Sequence, residues 1–270
     1  MSDPTVSLAR LGTCISDIRT WMIQNKLMIN DNKTEFMVVS SPYLKHDLEE
    51  FKLEIGNCFI PVTSSARNLG VCFDSHVAMD NQITNVCHAL HFHLRNIGAI
   101  RKLLSDTAVA QLVHALVSSR LDFCNSLLYG IPDTKLKRLQ RMQNIAARIV
   151  SRTPKFENIM PVLKELHWLP VRYRILFKLL LLMYNCVHGN APPYLTELLS
   201  QYEQARSLRS NTQKLLTVPR TRCKTLGDRA FSVAGPREWN KLPLSLKESD
   251  TASSFKANLK TYLFRSCFNL

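Results

Sequence analysis

The sequence predicts an α+β fold that is mainly α, with a small antiparallel β region near the start and helices thereafter. Short β-prone runs cluster in the first 75 residues, where KLEI and CFIPV flank Gly56-Asn57, a pair suited to a primed two-residue turn. From about Val77 onward apolar residues instead recur at three and four positions, the helical period. With 46% hydrophobic residues and eight glycines in 270, the composition is that of an ordered chain, long enough for one large domain or two small ones.

The elements follow in order. Asp3 is placed to cap a helix whose first turn holds Pro4, and Leu8, Leu11, Ile15, Ile18 and Met22 give that helix one apolar face to about Asn25. Phe36 to Val39 is β-like, and Leu69 to Phe73 supplies a further strand, so that the α+β region spans residues 1–75. In the next region, 76–152, Ile83, Cys87, Leu90, Leu94 and Ile97 form one helical stripe. A second helix is expected from Asp106 to about Ser118, and a third from about Asp133 to Ser151, where Arg152-Thr153-Pro154 disfavours continuation. Residues 153–270 are punctuated by prolines and read as shorter helices, with Leu179 to Tyr184 in a buried one.

Several functional classes are excluded. The apolar runs fall far short of the roughly 20 residues that cross a bilayer. MSDPTVSLARLGT lacks the charged and apolar regions of a secretory signal, so the expected location is intracellular, cytoplasm or nucleus, with no membrane partner. The eight cysteines include no C-x-x-C pair, which argues against a disulfide framework and a zinc finger; most are expected to be small buried apolar residues. Asn269 spoils the C-terminal prenylation pattern, because that position calls for an aliphatic residue.

Two candidate sites read better as packing. In Cys87-His88-Ala89-Leu90-His91-Phe92-His93, His91 and His93 lie about 160° apart on a helix, so the three histidines cannot converge on a metal. No metal site is expected. Trp239 is expected in a packing cluster with Phe231, Val233 and Leu242, and His167 beside Trp168 as a packing and capping element.

Charge is the stronger signal. Residues 1–74 carry seven Lys/Arg and nine Asp/Glu, whereas residues 75–270 carry 28 and 12, which places the whole net charge of +14 in the second part. A basic excess of that size suits a polyanionic partner, because phosphate neutralisation and counterion release require no base-specific contact. The helix from Asp133 concentrates it. With Leu136 at zero, Lys137, Arg141, Arg148 and Arg152 fall at about 100°, 140°, 120° and 160°, beside an apolar arc of Leu139, Met142, Ile145, Ala146, Ile149 and Val150. No acidic residue after Asp133 neutralises that stripe, as ordinary helix salt bridging would. RNA or an RNA/DNA duplex, held by its backbone, is the expected partner.

Two stretches carry a family resemblance. In NKLMINDNKTEF, Trp21, Asn25, Lys26, Leu27, Asn30, Lys33, Thr34 and Glu35 reproduce W-x-x-x-N-K-L-x-x-N followed by K-T-E; ARNLGVCFD reproduces R-x-L-G-V-x-x-D. Together they resemble motif D, and the strand after it, of reverse transcriptases from non-LTR (LINE-like) retrotransposons of the jockey and Rex type. SRLDFCNSLLYG, LQRMQNIAARIV, LKELHWLPVRYRI, APPYL and AGPREWNKLP resemble the thumb and C-terminal region of the same elements, in the same order. The resemblance implies a palm remnant over 1–75, thumb helices over 76–152 and a helical C-terminal extension over 153–270.

It also implies what is missing. The family's catalytic Tyr-Ala-Asp-Asp box has no counterpart, since the sequence contains no Asp-Asp pair. The carboxylates that clamp paired magnesium ions are therefore absent, and no cofactor is expected; magnesium would enter only if the missing palm were supplied. Lys33 matches the motif D lysine that the family uses to protonate the leaving pyrophosphate, here without a metal site beside it. The expected function is a truncated fragment of an RNA-directed DNA polymerase, inactive alone, with residual nucleic-acid binding. A helical protein-interaction module, or a translated relic without selected function, is the alternative.

Overall fold

The computed structural model describes residues 4–40, 52–55, 58–202 and 214–270, divided into two compact units, residues 1–82 and 83–270. The chain is mainly helical, with two small antiparallel sheets.

In the first unit, α1 (Pro4–Gln24) forms where the apolar period predicts it; Asp3, its expected cap, lies outside the described residues. Leu8 and Ile15 pack on a core of Phe36, Leu53, Ile55 and Ile60. Leu11 and Ile18, from the same expected face, stay exposed. Among the described residues α1 lies against the hairpin of β1 (Lys52–Ile55) and β2 (Cys58–Pro61). Four strand residues span about 13 Å, too short to cover a helix of about 30 Å. Ile55 pairs with Cys58 in antiparallel register, while Gly56-Asn57 lie outside the described residues.

Phe36 to Val39 does not form the expected strand. Phe36 makes a single parallel bridge to Val62, with Thr63 N–H donating to its carbonyl at 2.7 Å. Beyond it the Ser64 carbonyl accepts the Ser75 N–H at 3.1 Å and Ser40 N–H donates to the Ser75 carbonyl at 3.0 Å, so the ladder beside Val62 does not continue. The expected strand Leu69 to Phe73 is instead the turn and second arm of a hairpin, β3 (Ser65–Asn68) against β4 (Val71–Asp74). Asn68 faces Val71, and Leu69 and Gly70 turn the chain with φ of 46° and 87°, the left-handed pair of a type I′ turn. Leucine is not a residue that sequence patterns associate with such a turn.

The two stretches that carry the resemblance meet here: Arg67 N–H donates to the Glu35 carboxylate at 3.1 Å. Asp74 ends the hairpin, accepting Ala78 N–H at 2.7 Å and Met79 N–H at 2.6 Å just before α2 (Asp80–Ile100).

In the second unit the expected stripe on α2 is buried throughout, Ile83, Cys87, Leu90, Leu94 and Ile97 alike. The helix expected from Asp106 starts on the Ser105 cap, whose hydroxyl accepts Ala108 N–H at 3.2 Å, but α3 (Asp106–Val113) runs into a π-helical turn, His114–Ser118, before α4 (Ser119–Asp122). α5 (Asp133–Ser151) has the predicted bounds. It is followed by α6 (Ile159–Glu165), α7 (Val171–Val187), α8 (Pro193–Thr196), α9 (Phe231–Asn240), α10 (Leu244–Lys247) and α11 (Ala252–Phe268).

α7, 17 residues long, exceeds what the proline punctuation suggests, because Pro170 stands at its N-cap and Pro192 at that of α8, while α11, also 17 residues, lies beyond the last proline, Pro243. Leu180, Met183, Tyr184, Trp239, Phe255, Leu259 and Leu263 form the main core, knitting α7, α9 and α11. Trp239 is fully buried and donates its indole N–H to the Lys214 carbonyl at 3.1 Å, so the packing expectation holds. A methyl at Gly235 would stand 2.2 Å from the Met183 sulfur, which shows how closely α9 lies on α7.

Candidate nucleic-acid interface

α5 is fixed along its length before any cation is considered. Leu139, Ala146 and Ala147 are buried, as is Gln143, whose amide donates to the Leu169 carbonyl at 2.9 Å. Gln140 accepts the Val171 N–H at 2.8 Å, docking α5 against the start of α7. At the C-terminal end the buried Arg101 donates to the Ile149 carbonyl at 2.7 Å and the Val150 carbonyl at 3.1 Å. A helix end leaves such carbonyls without intrahelical partners and carries partial negative charge, so a guanidinium stabilises it twice over.

On this rigid helix the four stripe residues separate into two pairs. Lys137 and Arg141 are exposed, one turn apart, with no partner among the described residues. Their four-residue step is about 6 Å, comparable to the spacing of successive phosphates. Arg148 is half-buried and folds back, donating to the Pro154 carbonyl and, at 2.9 Å, to the Glu157 carbonyl, where it closes the turn after α5. Arg152 leaves the helical phase assigned to it: it is the C-cap, left-handed at φ 60°, and pairs with Asp106 at 3.2 Å. Both partners are well exposed, and surface pairs of this kind contribute about 0–1 kcal/mol, so Arg152 is available to a competing phosphate. Asp106 is shared with Arg101, whose hydrogen bond, more than the charge of Arg152, holds its carboxyl below the usual aspartate range.

Elsewhere the candidates are dispersed. Lys33 is exposed at the end of a 3₁₀ turn, Asp31–Lys33, in the other unit. His88 and His91 are exposed and His93 is half-buried. Among the described residues no group of three His, Cys, Asp or Glu is placed to hold a metal ion, and no helix is long and apolar enough to cross a membrane. The cysteines are less buried than expected: Cys87 and Cys186 are buried, whereas Cys14, Cys124 and Cys223 are exposed.

Two clefts in the second unit were not foreseen. One, of about 460 Å³, lies beside Leu136 of α5 and is lined by Tyr129, Arg172, Arg229 and Arg237. Its charges are largely spent within the fold: Arg172 pairs with Asp133, Arg237 with Asp228 at 3.2 Å, and Tyr129 donates to Glu238 at 2.7 Å. Burial, followed by that glutamate, pushes the Tyr129 phenol well above its usual range. The other, of about 280 Å³, joins α4, α7 and α11 through Asp122, Arg174, Lys178 and Lys260. No periodic pattern announces either cleft, since their walls come from turns and from helices far apart in sequence. No family model, no curated protein and no solved structure matches the chain.

Proposed function

We propose that this chain is element-derived reverse transcriptase sequence: the end of a palm, a helical thumb and a C-terminal extension. It works inside the cell by holding RNA or an RNA/DNA duplex by the backbone, and it has no polymerase chemistry of its own. The observation that carries the binding role is the exposed, unneutralised pair Lys137 and Arg141 on a helix locked at both ends, with Arg152 one weak pair away from joining them. A rigid helix presents its cations at fixed intervals, so that on meeting a phosphate backbone only the side chains, and not the main chain, lose conformational freedom. The ordered series of family-like blocks supports the origin, and the absence of an Asp-Asp pair supports catalytic silence.

The test is RNA and duplex binding across a salt series. Lys137→Gln with Arg141→Gln should weaken binding with little regard to sequence and flatten the salt slope by roughly 0.7 to 0.9 log units per lost phosphate contact. Folding should survive, as exposed substitutions change stability by within about 0.5 kcal/mol. The exposed lysines Lys241 and Lys256, replaced in the same way, should cost less. Equal losses from both double variants would transfer the binding to diffuse charge, and salt-insensitive binding would favour a protein-interaction module.

A further inference from the structure

The cleft between α4, α7 and α11 combines features that the fold itself does not require. Asn125 is only 2% exposed and lines the cleft. Its amide nitrogen faces the Asp122 carboxylate at 3.3 Å, which fixes the amide's orientation, since a carboxylate accepts and does not donate. The other end, Oδ1, is then a buried acceptor with no partner among the described residues. Leaving such an atom unpaired costs about 1–3 kcal/mol.

Backbone irregularities converge on the same place. His114 opens the π-helical turn, Cys124 before Asn125 is left-handed at φ 51°, and His167 is left-handed at φ 56°. Strain of this kind and π-bulges both concentrate at functional sites. His167 stacks on Phe264 while its Nδ1 donates to the Glu165 carbonyl at 3.0 Å, and His114 packs against Trp168.

The charges are the third feature. Asp122, the one carboxylate among the described residues of the cleft, is held by Arg174 through both its oxygens, leaving Lys178 and Lys260 to set the local sign. Lysine offers a point charge that suits a phosphate, whereas a planar carboxylate is better matched by arginine, and the arginine here is taken. At about 280 Å³ the cleft lies just under the usual range of about 300–1,000 Å³ for drug-sized ligands.

We propose that this cleft binds a sugar phosphate, its phosphate between Lys178 and Lys260 and one sugar hydroxyl donating to Asn125 Oδ1 as the ligand turns that sealed amide towards the cleft. The site is separate from the α5 cations and does not depend on the function proposed for them.

Calorimetric titration of the full chain with ribose 5-phosphate and with inorganic phosphate tests it. Ribose 5-phosphate should bind at least tenfold more tightly than phosphate. Lys178→Gln with Lys260→Gln should lose both ligands while retaining the wild-type circular dichroism. Asn125→Leu should keep phosphate binding and lose the preference for the sugar. The Lys137→Gln, Arg141→Gln variant should bind ribose 5-phosphate normally, so failure of either proposal is visible without the other. No binding by the wild type, equal affinity for both ligands, or wild-type binding by the double lysine variant would overturn the assignment. Uridine 5′-monophosphate and a 5′-phosphorylated RNA oligonucleotide then distinguish the source of the sugar phosphate. A free nucleotide is indicated if the two bind alike, and a strand terminus if the oligonucleotide binds more tightly and loses that gain without its 5′-phosphate.

Discussion

Residues 1–82 carry seven Lys/Arg against ten Asp/Glu, whereas residues 83–270 carry 28 against 11. Burial follows the same division. The first unit rests on two separate two-stranded hairpins and leaves Trp21, Ile23, Met28 and Phe59 exposed. The second buries Trp239, Tyr184 and Phe255 with seven leucines and Met183 in a continuous helical core. An isolated hairpin is marginal in water, and a sheet two strands wide has unpaired edges on both sides. The difference teaches where stability and charge were kept together: the basic part is the well-packed part, and the weakly covered part is mildly acidic.

The widest test of that contrast is a core truncation on each side. Phe255→Ala should cost about 3–5 kcal/mol in chemical denaturation, because its ring is fully buried between Tyr184 and Trp239. Ile60→Ala should cost about 2 kcal/mol, at the low end for such a change, as a narrow sheet collapses easily around the vacancy. Native-state hydrogen exchange should agree, with amides of β1 to β4 exchanging well before those of α5, α7 and α11. Equal protection in both units would break the comparison.

A smaller effect is expected at the hairpin tip. Leu69 is 90% exposed and left-handed, so Leu69→Asn, which installs the favoured Asn-Gly pair, should stabilise the first unit by about 1 kcal/mol in the same denaturation assay. Loss of stability would mean that the turn is not the type I′ described.

The smallest concerns Asp106. Its carboxyl is held below the usual range chiefly by the Arg101 hydrogen bond and then by Arg152, so its stabilising contribution is fully present at neutral pH and disappears as the folded-state carboxyl protonates. Asp106→Asn should therefore melt below the wild type at pH 7. The gap should begin to narrow as the pH falls past the ordinary aspartate value of 3.8 and close once the pH has fallen through the lowered folded-state value. A gap that persists in acid would assign the effect to the start of α3 rather than to the ion pairs.

The helices were legible because their signals are local. The bounds of α5 and the buried stripe of α2 follow from a period of three and four residues and from Thr153-Pro154. The β hairpin at Leu69 was misread as one strand because its turn uses leucine where the pattern expects asparagine or glycine. Lys137 and Arg141 could be placed on the exposed face of α5 from helical phase alone. The fate of Arg148 could not, since its acceptors, Pro154 and Glu157, belong to an irregular turn. The Asn125 cleft was invisible for a related reason: the π-turn at His114 shifts the helical phase, and Lys178 and Lys260 come from different helices.

Arg101 has a consequence for how this chain can change over generations. It reaches across 48 positions to hold the end of the proposed binding helix, and it does so with two nitrogens, Nε and Nη2, along one edge of a planar group. Lysine offers one nitrogen on a flexible stem and cannot reproduce that grip. Drift at residue 101 would thus loosen the C-terminal end of the helix that carries Lys137 and Arg141, although Arg101 itself need never touch a phosphate. Heritable change in the proposed binding surface is coupled to a side chain outside it.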